Sequence, residues 1–292
     1  MGTIGAAAAV AELTELDTEG FAHALATATT MAAGLQQAFR SDAMSKPLHA
    51  GHAADAGLVA ALAAGHGFTG AADILEGAAG FGAAMAADPD WTASVGGLGD
   101  PWGITQATVK NHSCCGHTFA AVDAALELRA TEVDPNLIDS IVIRTYSVAT
   151  RVAGNTDPRT EFEAKFSLGY CVAAALWLGT VRLAAFTPDS LAHPGIRDLL
   201  TRTTIVADPE FDEEFPARRQ AVVTLRLADG SELTRRRRTR KGDPDDPLTD
   251  GEMRAKFDDL VVPEIGAEAA AELSGQLWNL RGRASLSALG SK

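Results

Sequence analysis

Two short segments of the 292-residue chain combine residue types that bind anions with residue types that move protons. In the first, Lys46 is followed three residues later by His49; in the second, Lys110 is followed by His112, with Cys115 close behind. Each segment precedes an apolar stretch typical of a helix, and both a lysine ammonium and a helix N-terminus attract carboxylates. A histidine can exchange a proton near neutral pH. The two segments therefore predict a site that holds a small carboxylate and transfers a proton beside it.

Other interpretations of these segments stay open. The first is also typical of a solvated loop that caps a helix, and the second of a loop with small buried cysteines. The run from His112 to His117 (HSCCGH) suggests zinc, but vicinal cysteines rarely bind one ion together, and no second ligand pair of normal spacing follows. We therefore expect no metal ion there, and we expect His117 to be a helix-entry or packing residue.

The charge balance argues against nucleic acid and membrane partners. The chain has 25 basic and 38 acidic residues, a net charge of −13, which repels anionic polymers and surfaces. Arg235–Lys241 (RRRRTRK) is strongly basic, but it follows a hairpin turn and is better explained as an edge strand protected by charge. The apolar run Cys171–Leu178 is too short to span a bilayer.

The cysteine count and the first residues bear on the cellular compartment. Three cysteines in a chain of this length do not indicate a disulfide framework, which is typical of a reducing environment. The opening sequence MGTIGAAAAVAEL has no basic segment of the kind that begins a signal peptide. We therefore expect a cytoplasmic protein.

The elements that must position the two segments change character along the chain. Alanine supplies 30 of the first 100 residues, which predicts closely packed helices that are buried on most sides. Strand and helix patterns then alternate, and helical patterns return near the end. We predict a helical domain over 1–105, an α+β domain over 106–246 and a helical tail over 247–292 that returns to the helical domain. The predicted fold class is an all-helical domain interrupted by a smaller α+β domain.

Periodicity and capping residues give the expected element bounds. The expected helices cover 4–13, 19–33, 53–64, 69–77, 119–129, 162–178, 249–260 and 265–281. The expected strands cover 139–146, 203–207, 221–227 and 232–239, the last two joined by the Asp229-Gly230 turn. In this scheme Lys46 and His49 lie in a turn that leads into the third helix.

Beyond these local patterns, the chain resembles the MmgE/PrpD family, which includes 2-methylcitrate dehydratases, cis-aconitate decarboxylases and iminodisuccinate epimerases. The resemblance covers nearly the whole chain. It is carried by KPLHAG at 46–51, GFTG at 67–70, ILEG at 74–77, KNHSCC at 110–115, EAKFS at 163–167 and KGDP at 241–244.

The resemblance implies a homodimer whose active site lies in a cleft between the two domains and needs neither a metal nor an organic cofactor. It places Lys46, Lys110 and Cys115 in that cleft. By chemistry, the lysines are candidates for holding substrate carboxylates, one of them alternatively for proton transfer. His49 and His112 are the acid–base candidates, and Cys115 is a substrate-binding candidate that lines the pocket.

The reactions of this family all create negative charge next to a carboxylate, which lysines and helix N-terminal amides can stabilise. We therefore expect a lyase or isomerase (a dehydratase, decarboxylase or epimerase) that acts on a small di- or tricarboxylate through a carbanion-like intermediate. The position of Cys115 is a histidine in cis-aconitate decarboxylases, which argues against that particular reaction.

Family members carry further chain before the point that matches Met1, so we expect the helical domain to be incomplete at its N-terminus. The alternative function is therefore a catalytically incomplete family member, or fragment, that acts as a binding or assembly partner. Such a chain would associate with a polypeptide that supplies the absent helices.

Overall fold

A computed structural model describes residues 1–39 and 45–282, and the chain divides into two compact units. One unit ends at Pro101 and the other begins at Trp102. In its described residues the first unit contains helices and turns but no strand. Its α-helices are α1 (Gly2–Leu13), α2 (Thr18–Met31), α3 (Ser45–Gly65), α4 (Phe81–Met85) and α5 (Trp91–Val95), with a 3-10 turn at Gln36–Phe39.

Alanine does form the contacts between α1, α2 and α3, as the composition predicts. Ala7, Ala28 and Ala60 form one fully buried cluster, and Ala11 with Ala61 belongs to a second. The expectation that these helices are buried on most sides is wrong. Because each helix packs on its neighbours through one alanine stripe, α1 buries only Thr3, Ala7 and Ala11.

The close approach of α1 and α3 depends on Gly57. A Cβ atom added there would lie 2.6 Å from both the Ala6 Cβ atom and the Thr3 carbonyl oxygen. Since the backbone of α1 cannot yield like a flexible side chain, we expect Gly57→Ala to lower the free energy of unfolding by about 1–3 kcal/mol through overpacking. This loss outweighs the better helix propensity of alanine.

Gly51 on the same helix is the matched control for urea unfolding, because an added Cβ meets nothing within 4 Å. Gly51→Ala is expected to leave stability unchanged or to raise it by up to about 1 kcal/mol. Equal effects of the two substitutions would contradict the packing argument.

Two expectations for the first unit are corrected. Helix α3 begins at Ser45 rather than near residue 53, so Lys46 and His49 lie in its first turns and not in a preceding loop. The helix expected over 69–77 is a series of turns. There, the Gly70 N–H donates to Nδ1 of His23, and a tertiary contact with α2 replaces helical hydrogen bonds.

The second unit combines helices with a four-stranded mixed sheet of order β2-β1-β3-β4. Its strands are β1 (Ile138–Thr145), β2 (Thr203–Ala207), β3 (Ala221–Leu227) and β4 (Glu232–Arg237). Its α-helices are α6 (Phe119–Arg129), α7 (Ser147–Val152), α8 (Glu161–Lys165), α9 (Leu168–Leu178), α10 (Pro188–Ala192), α11 (Pro194–Thr201), α12 (Pro209–Glu214), α13 (Asp250–Ile265) and α14 (Ala267–Trp278). Short 3-10 helices occupy Gly103–Gln106, Pro135–Leu137, Leu183–Phe186 and Leu280–Gly282. The helical and α+β classes predicted from the sequence are both confirmed.

The main core of this unit lies between the sheet and helices α6 and α9. Strand β1 pairs in parallel with β2, where Ile143 faces Ile205, and antiparallel with β3, where Ile143 faces Val223. Ile143 and Val223 are fully buried together with nearly all of α9. Because Cys114 and Phe119 belong to this core, the packing fixes the C-terminal end of the segment that carries Lys110.

The helix expected over 162–178 is two helices. The Ser167 side chain accepts a hydrogen bond from the Tyr170 N–H, which caps α9 and separates it from α8. The tail helix α13 begins where expected, after a capping box made by Thr249 and Glu252.

The arginine-rich segment is an edge strand, as predicted. Strand β4 pairs only with β3 in the described sheet, and its arginines form ion pairs with acidic residues of neighbouring elements. Arg236 pairs with Glu210 at 3.0 Å and Arg237 with Glu127 at 2.8 Å, and Arg238, just after the strand, pairs with Glu214 at 3.2 Å. None of the described helices is both long enough and apolar enough to cross a membrane.

Candidate active site

The segment that carries Lys110 and His112 is fixed by backbone hydrogen bonds to three other parts of the second unit. Val109 N donates to the Gly242 carbonyl at 2.8 Å, Ser113 N to Val181 at 3.0 Å, and Cys115 N to Lys165 at 2.8 Å. At Gly242 the φ angle is +98°, and an added Cβ would lie 1.9 Å from the Val109 oxygen. Only glycine at position 242 therefore allows the turn around it to approach the Lys110 segment so closely.

His112 is buried against helix α6 and bonded to an acid. Its Nε2 atom lies 2.8 Å from Oδ1 of Asp123, and both side chains are less than a tenth exposed. The other carboxylate oxygen of Asp123 accepts a hydrogen bond from Lys241 N at 2.8 Å. Since an ionised carboxylate only accepts, the Nε2–H of a neutral His112 donates to it and the ring lone pair lies on Nδ1. No residue within 1–39 or 45–282 is hydrogen-bonded to that Nδ1 atom.

A cavity of about 100 Å³ adjoins this pair. Lys110 and His112 line it together with two further cations. The complete lining is Lys110, Asn111, His112, Ser113, Arg182, Leu183, Lys256, Asp259 and Leu260. The structure thus brings two of the predicted site residues to one cavity, and Cys115 is not part of its lining.

Lys110 is exposed, and its Nζ atom lies 3.5 Å from the Cys114 carbonyl oxygen. Across the cavity, Arg182 Nη1 pairs with Asp259 Oδ2 at 2.7 Å. Burial, and then the positive charges of Arg182 and Lys110, lower the pKa of Lys256 below its usual range. An anion in this cavity would relieve the repulsion among these three cations.

Cys115 lies just before the start of helix α6. It is half-buried, and Thr118 donates both its N–H and its hydroxyl to the Cys115 carbonyl, which starts helix α6. The neighbouring Cys114 thiol is buried 3.0 Å from the Thr118 hydroxyl. Cys114 is therefore a small packing residue at the start of this helix, and the substrate-binding role of Cys115 stays a prediction.

His117 has the packing role expected for it. Its Nδ1 atom lies 2.8 Å from the hydroxyl of the buried Tyr146, whose ring stacks on Phe215. Burial, followed by the charges of Arg219 and Arg240, lowers the pKa of His117 to about 4. His117 is therefore neutral at physiological pH.

We expect the ring resonances of His117 to titrate with a midpoint near pH 4 in an NMR pH series. Because the folded-state pKa lies below that of an unfolded histidine, this group stabilises the fold above about pH 6.5, and that contribution is lost as the pH falls toward 4. His117→Gln should reduce the loss of stability between these pH values. A midpoint near 6.5 would contradict the burial argument.

The other predicted residues lie on the first unit. Lys46 and His49 are half-buried and three residues apart on α3, so they share one helix face. A Cβ atom added at Gly34 would lie 3.4 Å from Nδ1 of His49. Their predicted roles in binding and proton transfer stay predictions.

Both units match models of known domains. Residues 1–94 match the MmgE/PrpD N-terminal domain, and residues 112–280 match the MmgE/PrpD C-terminal domain. The chain belongs to the MmgE/PrpD family. The Lys110 segment lies at the start of the MmgE/PrpD C-terminal match, and α3 lies inside the N-terminal match.

Relatives of this MmgE/PrpD chain carry names that refer to cis-aconitate. It is 29% identical over 267 residues to the cis-aconitate decarboxylase of Mus musculus, a match that covers 88% of this chain and 53% of the relative. It is 28% identical over 305 residues to the cis-aconitate decarboxylase-like protein oryM of Aspergillus oryzae, covering 99% and 62%. The human cis-aconitate decarboxylase is 29% identical over 266 residues, covering 88% and 54%. The chain thus spans between half and two thirds of the length of these relatives.

Three residues of the cavity region were missed by sequence reasoning. Asp123 lies on a mostly apolar helix, Arg182 follows the apolar α9, and Lys256 lies in the tail helix α13. Lys256 carried the one usable signal, because lysine is rare in this MmgE/PrpD chain. Within the described residues, no group of three or more His, Cys, Asp or Glu side chains is arranged to hold a metal ion.

Proposed function

We propose that this chain supplies the site of a lyase or isomerase that acts on a small di- or tricarboxylate without a cofactor. The observation that carries the proposal is the cavity at which Lys110, with two further cations, adjoins the His112–Asp123 pair. Family membership and the cis-aconitate decarboxylase relatives support the substrate class, since cis-aconitate is a tricarboxylate.

Lys110 holds a substrate carboxylate in this proposal. Its flexible, exposed ammonium offers three donors at the cavity, and a carboxylate there gains charge-assisted hydrogen bonds. When a proton leaves the neighbouring carbon, negative charge spreads into that carboxylate. The same cation then stabilises the carbanion-like intermediate more than the ground state, which is the condition for catalysis.

His112 is the proposed proton-transfer group. Asp123 accepts from Nε2 and holds the ring, which directs the lone pair to Nδ1. Nδ1 takes the proton from carbon, and the electron pair left behind delocalises into the carboxylate. Asp123 stabilises the imidazolium that forms, and His112 then returns its proton to the leaving group or to carbon.

Lys46 and His49 keep their predicted roles as carboxylate ligand and acid–base group, and Cys115 its predicted role in substrate binding. The three reactions form and consume the carbanion-like intermediate differently. In dehydration and epimerisation His112 removes a proton from carbon; the intermediate then expels hydroxide, which leaves as water with the proton from His112, or takes the proton back on the opposite face. In decarboxylation the loss of carbon dioxide itself forms the carbanion, and a protonated group then supplies a proton to that carbon. Cys115 stands where cis-aconitate decarboxylases have a histidine, which argues against decarboxylation of cis-aconitate.

The proposal is tested by proton exchange in deuterium oxide. The full chain is incubated with citrate, cis-aconitate, succinate, tricarballylate and aspartate-derived dicarboxylates, and loss of carbon-bound protons is followed by NMR, with and without EDTA. We expect exchange or turnover of at least one substrate, insensitive to the chelator. Absence of exchange over the whole panel would favour the alternative of a catalytically incomplete binding or assembly partner.

The predicted homodimer belongs to the same proposal. Light scattering over a dilution series, run beside the exchange assay, is expected to give a dimer mass when exchange is seen. If the chain exchanges substrate protons while its mass is that of a monomer, the predicted homodimer is not required for activity.

A further inference from the structure

Three basic side chains from distant parts of the second unit line the cavity of about 100 Å³. Lys110 precedes α6, Arg182 follows α9, and Lys256 lies in α13. Their convergence is produced by tertiary folding, because no two of them are near in sequence.

Acidic side chains do not balance these cations. Among the described residues that line the cavity, Asp259 is the one acid, and its carboxylate already pairs with Arg182. Arg182 also donates to the Asn111 side chain at 3.4 Å. In the parts of the chain that the structure describes, Lys256 forms no hydrogen bond or ion pair. The lining therefore carries an excess of two positive charges.

Lys256 is held at the cavity although its surroundings disfavour its charge. It is half-buried, and it also lines an apolar groove with Met253, Phe257 and Leu260, which gives its methylene groups a place to pack. Arg182 is only about a fifth exposed. Charges that are partly removed from water and repel one another bind an anion more strongly than exposed charges do.

The dimensions and lining of the cavity select the kind of anion. Its volume is several times the roughly 10–15 Å³ that one water molecule requires, so it accommodates a carboxylate with its adjoining methylene. Leu183 and Leu260 offer apolar surface for such a methylene, and Ser113 adds a hydroxyl.

We propose that Arg182 and Lys256 form a subsite for a second carboxylate of the substrate, beside the carboxylate held by Lys110. These two residues then determine specificity for ligands with two or more carboxylates. The inference rests on the proposed function for the identity of the ligand, but its binding test does not require turnover.

The test is calorimetric titration of the full chain with tricarballylate, a saturated tricarboxylate that has no hydroxyl group to eliminate, at constant ionic strength. Lys256→Met is expected to weaken binding at least tenfold, and Lys256→Arg to restore it to within about threefold of the wild type. Arg254→Met is the matched control: it makes the same charge change on the same helix, and its side chain lies over Trp278 instead of lining the cavity. It is expected to change affinity less than twofold.

Each result bears on the inference. If Lys256→Met binds tricarballylate like the wild type, or if Arg254→Met weakens binding equally, the subsite is wrong, whether or not the wild type exchanges protons. Absence of wild-type binding also overturns it. Inorganic phosphate is titrated in parallel, and tighter binding of phosphate than of tricarballylate would overturn the carboxylate assignment.

Lys256-dependent binding of tricarballylate without any proton exchange would support the subsite and contradict the proposed function. Melting curves show that each variant is folded, and Lys256→Gln replaces Lys256→Met if the latter melts early.

Discussion

Lys110→Met is expected to lower kcat/KM for the polycarboxylate substrate by about 10- to 150-fold while leaving the fold intact. A hydrogen bond to a charged group contributes about 1.5–3 kcal/mol, and each 1.36 kcal/mol corresponds to a factor of ten in rate. The fold should survive because Lys110 is exposed and, among the residues that the structure describes, its ammonium is hydrogen-bonded to the Cys114 carbonyl alone, at 3.5 Å.

Steady-state kinetics and a thermal melt on the same preparation check this prediction. Arg254→Met, which also removes one positive charge from the second unit, is expected to keep kcat/KM within twofold. Unchanged kcat/KM in Lys110→Met would remove Lys110 from the site, and an early melt would show that its role is structural.

Asp123→Ala is expected to lower the free energy of unfolding of the second unit by about 2–4 kcal/mol. It leaves two donors without their acceptor, the buried His112 Nε2 and the partly buried Lys241 N, and an unsatisfied buried donor costs about 1–3 kcal/mol. The substitution also frees the His112 ring, so we expect activity to fall even below the temperature at which the variant unfolds.

Urea unfolding measures this loss, with Glu127→Ala as the control on the same helix. Glu127 pairs with Arg237 at 2.8 Å, but its side chain is 42% exposed, and such pairs contribute about 0–1 kcal/mol. If both variants lose the same stability, Asp123 is not the buried connection described here.

Elements defined by local patterning were predictable. The bounds of β2 and β3 match the expected strands, because consecutive β-branched residues are concentrated within them and turn residues follow them. Alanine stripes likewise predicted the contacts among α1, α2 and α3. A stripe does not reveal how many neighbours a helix has, and so the extent of burial was overestimated.

Elements that depend on distant contacts were not predictable in the same way. The turns over 69–77 are held by the bond from Gly70 to His23, 47 positions away. The break between α8 and α9 follows from one serine whose side chain competes with the helix for hydrogen bonds.

The residues of the candidate site differ in the same way: some belong to a local motif, and others are brought together only by tertiary folding. Lys110 and His112 are neighbours in sequence, and their motif was visible at once. Arg182 and Lys256 reach the cavity only because α9 and α13 pack near this segment. No spacing rule connects such positions.

Protection of individual lysines from reductive methylation tests the central claim most directly. The full chain is treated with formaldehyde and a borohydride reagent, with and without tricarballylate, and the modification of each lysine is read by mass spectrometry. We predict that tricarballylate protects Lys110 and Lys256, while Lys165 and Lys241, whose ammonium groups pair with protein carboxylates, react at ligand-independent rates. Methylation of Lys110 at the same rate with and without bound tricarballylate would contradict the account.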